Sequence, residues 1–309
     1  MNKQNMLLGV VLAMAASAFA RPFSAAEIPA NSKWVAYANA TGIRDSQIGQ
    51  YIVAEIDEKA QRKLDGIKAI FNFDPLQDVD SILAFGPTIE EHGSGVMMIS
   101  GTFDEAHLTT LLKMNKTYAQ TTHNGTVIHN WVDDKNKQKD PAKRVYGAFA
   151  SNGDIVMGDN EALVAQAIDV LAGKAPCLSG DSALNLAELD NAAFVAAALE
   201  VGDGEMLPAK AALLRQTRSM YFSLQESDGK LLAQLEINTD NSEAAFYVDS
   251  IVRGMLGMAF LHDETNPGLA RLARGVRVNT IDQRVVIESA CPVELVTETL
   301  QKSRGKSRK

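Results

Sequence analysis

Residues Ser100 to Lys113, "SGTFDEAHLTTLLK", set Asp104, Glu105 and His107 within four positions. Carboxylates beside an imidazole are the groups a metal site or an acid/base pair uses. The same residues also suit the start of a helix. A short oxygen-bearing side chain ahead of an apolar-periodic run accepts hydrogen bonds from unpaired backbone N–H groups. A glutamate in the first turn complements the positive end of the helix dipole. The internal repeat described below favours the cap: Asp240 or Asn241 stands at the equivalent point after "QLEINT", with no histidine in step with His107.

Other candidates fare no better. "LSGDSAL", Leu178 to Leu184, contains the Gly-Asp-Ser block that resembles the nucleophile motif of GDSL-type hydrolases. In that family the block lies near the mature N-terminus after the first strand. Here it sits mid-chain, and no D-x-x-H motif follows, so Ser182 is expected to cap a short helix. "NFDPLQDVDS" gathers Asp74, Asp78 and Asp80 but lacks the alternating ligands, glycine and final glutamate of a calcium loop. It reads as a surface turn. The histidines (92, 107, 123, 129 and 262) make no H-x-x-x-H or H-E-x-x-H pattern. His129 in "VIHNWV" is the outlier. It shares a strand face with Trp131 and reads as a half-buried strand histidine. No nucleophile elbow, P-loop or dinucleotide fingerprint occurs. No catalytic, cofactor-binding or metal-ligating residue is therefore assigned, and no cofactor is expected.

Cys177 and Cys291 are the only cysteines. They lack C-x-x-C spacing. In an oxidising compartment a disulfide between them would close a long loop and contribute about 4 kcal/mol. Spacing alone leaves open whether their Cα atoms approach.

The first 20 residues read as a signal peptide: Lys3 gives a positive start, Met6 to Ala16 an apolar stretch, and "ASAFA" a small-residue cleavage site. No cysteine precedes Cys177, so a lipoprotein anchor has no attachment site. No later segment reads as transmembrane, and the expected address is the periplasm or the exterior. The formal charge of −8 argues against nucleic acid as a partner, which demands a basic face. The last eight residues, "KSRGKSRK", carry five basic groups. They read as a disordered tail, 302–309, able to make weak contact with an anionic envelope surface.

The elements that must position any site come in two similar series. The first has a strand at Trp34 to Ala38, a helical pattern from Ser46 to Phe71, strands "DSILAFG" and "SGVMMISGTF", and a helix from Asp104. Strands "GTVIHNWV", "RVYGAFAS" and "DIVMG" follow, the last two joined at Asn152-Gly153, a strong hairpin signal. A helix with Leu163, Val164, Ala167, Ile168 and Leu171 on one face closes the series. The second series runs through strand "AAFVAAALE", helix "LPAKAALLRQ", and a hairpin of "SMYFSLQ" with "LLAQLEINT" across Asp228-Gly229. A helix then shows the stripe Ala244, Val248, Ile251, Val252, Met255 and Ala259. The hairpin "GVRVNT"/"RVVIES" and a helix from Pro292 to about Gln301 end it. The expected fold class is α+β: two tandem repeats, each a helix-backed antiparallel sheet of ferredoxin-like character. The expected divisions are 1–20 signal, 21–172 first repeat, 173–190 connector, 191–301 second repeat and 302–309 tail.

With "IPANSKWVAYAN", "FNFDPLQDVDSILAFG", "ISGTFDEAHLTTLLK", "VIHNW" and "DNEALVAQAIDVLAGK" in that order, the chain resembles a group of bacterial secreted proteins of unknown function. The resemblance implies a signal peptide and a duplicated α+β unit, with no reaction and no catalytic residues. Two function classes are expected. The first is a non-enzymatic secreted or periplasmic binding or interaction protein, its ligand a protein or small molecule. The alternative is a cell-envelope hydrolase whose site is assembled from residues distant in sequence.

Overall fold

In the computed structural model, twelve strands pair edge to edge into one antiparallel sheet. The structure describes residues 24–89, 95–132, 143–178, 192–199, 216–261 and 267–307, with 302–307 as backbone alone. The signal segment, Ser182 and "LPAKAALLR" lie outside the described residues.

After a short 3-10 turn, β1 (Trp34–Asn39) leads to three helices, α1 (Ala40–Asp45), α2 (Gln47–Ala54) and α3 (Glu58–Phe71). Next are β2 (Val79–Gly86), β3 (Val96–Gly101) and α4 (Glu105–Lys113). Four strands follow, β4 (Ala119–His123), β5 (Thr126–Val132), β6 (Arg144–Phe149) and β7 (Ile155–Gly158), and then α5 (Glu161–Leu171). The remainder comprises β8 (Phe194–Leu199), β9 (Thr217–Ser227), β10 (Lys230–Thr239), α6 (Ser242–Leu261), α7 (Pro267–Arg274), β11 (Val276–Ile281), β12 (Arg284–Pro292) and α8 (Val293–Ser307). The strand order is β11-β12-β10-β9-β8-β1-β2-β3-β7-β6-β5-β4. Sequence left open whether two sheets merge. They do, because β1 pairs with β8 as well as with β2. The molecule is thus a mixed α+β structure on one continuous sheet.

The sheet has a core on each face, and β9 shows it most directly. Met220 packs with Ile237 and Val285 against Ala245 and Val248 of α6. Its neighbour Tyr221 packs with Val35, Val156 and Val195, a cluster that also holds Val164, Ala167 and Ile168 of α5. Adjacent strand residues point to opposite faces, so α5 and α6 cover opposite sides of the sheet.

Several local expectations change. The helical pattern from Ser46 to Phe71 is two helices, and a third precedes it. Ser46 and Asp57 take extended backbone and accept the N–H groups of Gly49 and Ala60, so each caps a new helix where periodicity alone reads continuity. Strand β4 and helix α7 escape the sequence reading. The α6 stripe is displaced: Val248 is 3% exposed, whereas Ile251 is 48% and Met255 61% exposed. Helix α6 is also long and apolar enough to cross a membrane by length and composition, contrary to the expectation that no later segment is. One of its faces packs on the sheet, and its charged pair Asp249 and Arg253 bonds Thr280 and the Val278 carbonyl of β11. The expected disordered tail is helical through Ser307, continuing α8. Both cysteines are free, Cys177 exposed and Cys291 buried.

Candidate functional site

The opening triplet is a helix cap. Asp104 Oδ1 accepts the His107 N–H at 2.9 Å, and Asn241 Oδ1 accepts the Ala244 N–H at 2.9 Å ahead of α6. The His107 ring lies 2.9 Å, through Nε2, from the carbonyl of Ile70 in the last turn of α3. A carbonyl can only accept, so the imidazole donates and fastens α4 to an end of α3 that lacks intrahelical partners.

Two acids of "NFDPLQDVDS" are spent on the turn, and the third, Asp80, accepts the Thr41 hydroxyl of α1 at 3.4 Å. Asp78 Oδ2 accepts the Asp74 N–H, and Asp74 Oδ1 accepts the Leu76 N–H at 3.0 Å. Lys68 sits 3.1 Å from Asp74. The bond from Leu76, then the lysine, holds the Asp74 carboxyl below the usual range. Among the described residues no three metal-ligating side chains cluster.

His129 is 5% exposed, between Tyr118 and Phe149. Tyr118 Oη lies 2.9 Å from His129 Nδ1 and 2.7 Å from Gln120 Oε1. The phenol has one proton, which it gives to the amide oxygen, so it accepts from Nδ1–H and fixes the neutral tautomer. Burial pushes the His129 pKa down, and nearby Lys113 adds to this against an opposing effect of Glu105. The arrangement is a strand histidine satisfied as a neutral ring.

Sequence reasoning passed over His123, which among the described residues is the histidine whose ring meets a carboxylate. Its Nε2 lies 2.9 Å from Asp169 Oδ2 on α5, and Asn124 Nδ2 donates to Asp169 Oδ1 at 2.8 Å. The Asn124 bond and then the His123 bond hold the Asp169 pKa down. The pair ties the β4–β5 hairpin to α5. Among the described residues no hydroxyl or thiol is hydrogen-bonded to the His123 ring.

The largest change of character lies on the sheet. One cross-strand row on the α5 face reads Ala148, Val156, Met98, Leu83, Tyr37 and Val195, all buried. Past Val195 the same row continues as Ser223, Gln234, Glu288 and Arg277. The switch from apolar to polar comes between β8 and β9. Beyond it lies a concavity of about 550 Å³ lined by these four residues with Gln225, Lys230, Leu232, Ala290 and Arg274. Its lining comes from β9, β10, β12, β11 and the end of α7. Arg277, Lys230 and Glu288 are solvent-exposed. Among the described side chains every arginine except Arg277 is engaged, as Arg284 is with Glu236 and Arg253 with Asp249. The sequence signal for this site is half legible: Leu232, Gln234 and Glu236 alternate along β10, but Glu288 and Arg277 join them only through strand order.

No family model and no curated protein matches the chain. Crystal structures of TP0453, a Treponema protein, align with it in three crystal forms. Form III covers 93% of this chain and 100% of that one at 10% identity and a TM-score of 0.48. Form IV covers 91% and 97% at 9% identity with 0.47, and form I 92% and 98% at 10% with 0.46. At that level the likeness carries nothing about ligand or activity.

Proposed function

We propose that this is a non-enzymatic binding or interaction protein, exported by a cleaved signal peptide to the periplasm or exterior, and built from two copies of one α+β unit. The observation that carries the binding reading is the polar sheet face over β9 to β12, which no described helix covers. A concavity of about 550 Å³ there falls within the usual range for small-ligand sites. Its lining is polar, unlike the mostly apolar walls of drug-like pockets, so it favours a polar ligand.

The duplication is supported by register. From the β1–β8 seam outward the strands run β1-β2-β3-β7-β6 on one side and β8-β9-β10-β12-β11 on the other. At the seam Trp34 opposes Ala198 as Phe194 opposes Ala38, and Ala36 opposes Ala196, which is the pairing of a local two-fold axis. The next rungs match as well. Ala84 opposes Met97 as Phe222 opposes Leu235, and Met97 opposes Met157 as Leu235 opposes Ile287. The β4–β5 hairpin is then an addition to the first copy.

The envelope-hydrolase alternative has one observation in its favour, the His123–Asp169 pair at 2.9 Å. It lacks a nucleophile bonded to that histidine among the described residues, and a base without its nucleophile is half a constellation. Native mass spectrometry of protein recovered from its own secretory compartment tests the first reading. The expected result is a chain starting near Phe19 or Arg21 that carries a retained ligand or partner. A bare protein that cleaves envelope esters or glycans, with the activity lost in His123→Ala, would overturn it.

A further inference from the structure

The open basin carries chemistry specific enough to name a ligand class. Arg277 on β11 lies directly across from Glu288 on β12, yet the two form no ion pair. Its guanidinium offers five N–H donors in a planar fork, with no partner among the described residues. Lys230, at the start of β10, lines the same concavity and is likewise unpaired. In a chain whose formal charge is −8, a hollow where two cations, Arg277 and Lys230, stand unengaged beside one carboxylate attracts anions locally.

The remaining lining suits hydroxyl groups. Ser223, Gln225 and Gln234 both donate and accept, and no side-chain hydrogen bond engages them among the described residues. Glu288 accepts only, which suits paired hydroxyls and repels a second acid. Leu232, opposite both Gln225 and Ala290, forms with that alanine an apolar strip on which the C–H edge of a sugar ring can rest. No aromatic ring lines the hollow, so a flat stacked ligand has no platform there.

Resting on the reading of this face as a binding surface, we propose that the basin takes a small polyhydroxylated anion, a sugar acid or a sugar phosphate. Arg277 and Lys230 hold its oxyanion. Gln225, Gln234, Ser223 and Glu288 take its hydroxyls. A single guanidinium–oxyanion contact in a solvent-open hollow accounts for about a tenfold change in affinity.

The test is isothermal titration of the mature full-length chain at low salt with glucuronate, glucose 6-phosphate and glucose. Arg277→Gln is the site variant and Arg62→Gln on α3 the control, circular dichroism verifying that both remain folded. The expected result is saturable binding of one or both anions, weakened about tenfold by Arg277→Gln and unchanged by Arg62→Gln, with glucose at least tenfold weaker. Preference between the two anions tells carboxylate from phosphate. Equal binding of glucose, or no effect of Arg277→Gln, overturns the anionic class while leaving a binding basin in place. Absence of saturation by either anion at millimolar concentration overturns the ligand class. Carriage of another molecule in the native mass spectrum would show that the binding reading survives that failure.

Discussion

Helix α6 offers the sharpest test of the structure against the sequence pattern. Periodicity groups Val248, Ile251 and Met255 on one buried stripe, whereas the structure buries Val248 and leaves Ile251 and Met255 about half exposed or more. Val248→Ala removes two carbons from a packed site at ~0.8 kcal/mol each and leaves a cavity, for a loss of about 2–3 kcal/mol. Met255→Ala gives up only the covered minority of its side chain and gains helix propensity, so its loss is below about 1 kcal/mol. Ile251→Ala falls between them. Urea titrations at constant m-value read these differences as midpoint shifts. A Met255→Ala loss equal to that of Val248→Ala would refute the assigned face. If that loss grew with protein concentration, Met255 would be covered by another chain and not by its own fold.

Asp104→Ala should cost about 1 kcal/mol as a lost cap and leave divalent-metal affinity unchanged, as read by urea titration with and without added zinc. For His129 the folded pKa lies below the unfolded value of about 6.5. The unfolded chain therefore binds the proton first, and stability falls as pH drops from about 6.5 toward the folded pKa, then levels off. His129→Gln should flatten that slope between pH 7.5 and 5.5, and an unchanged slope would discard the neutral-ring assignment. Under native conditions a thiol reagent should label Cys177 within minutes and Cys291 only after unfolding. A mass two units lower, with neither labelled, would establish a disulfide instead. In the shared cross-strand row, Val156→Gln should cost more than about 3 kcal/mol by burying an unpaired amide, while Gln234→Leu should shift stability by under about 1 kcal/mol. Comparable costs at the two positions would mean the basin is covered.

Where the sequence was legible, a local rule decided the outcome. Asp228-Gly229 gives the β9–β10 turn, with φ of 50° and 68° where a left-handed backbone is needed. The α5 face is read correctly because its helix lies squarely on one core. The same turn chemistry at Asn124-Gly125, φ 50° and 93°, marks the β4–β5 hairpin, but the polar run "AQTTH" carries no hydrophobic alternation to flag its strand. Helix α6 misled because the stripe that packs on the sheet runs through Ala245, Val248, Val252 and Leu256, which leaves Ile251 and Met255 to one side of it. The candidate site was legible only along β10. Its other walls depend on β12 inserting between β10 and β11, a choice made by tertiary pairing and invisible to spacing.

One face of one sheet serves two purposes, and residue type sets the boundary between them. From Ala148 to Val195 the row is apolar and lies under α5, where burial of each side chain stabilises the fold. From Ser223 to Arg277 it is polar, and a helix laid there would bury an amide, a carboxylate and a guanidinium without partners at several kcal/mol. Among the described residues the cover under α5 ends at Tyr221 of β9, and strands stiffened by a core on the opposite face, beneath α6, are left displaying donors and acceptors that no other described residue engages. A floor held rigid from behind keeps those groups in register without spending them on each other. That arrangement lowers the ordering cost a ligand would otherwise meet on binding.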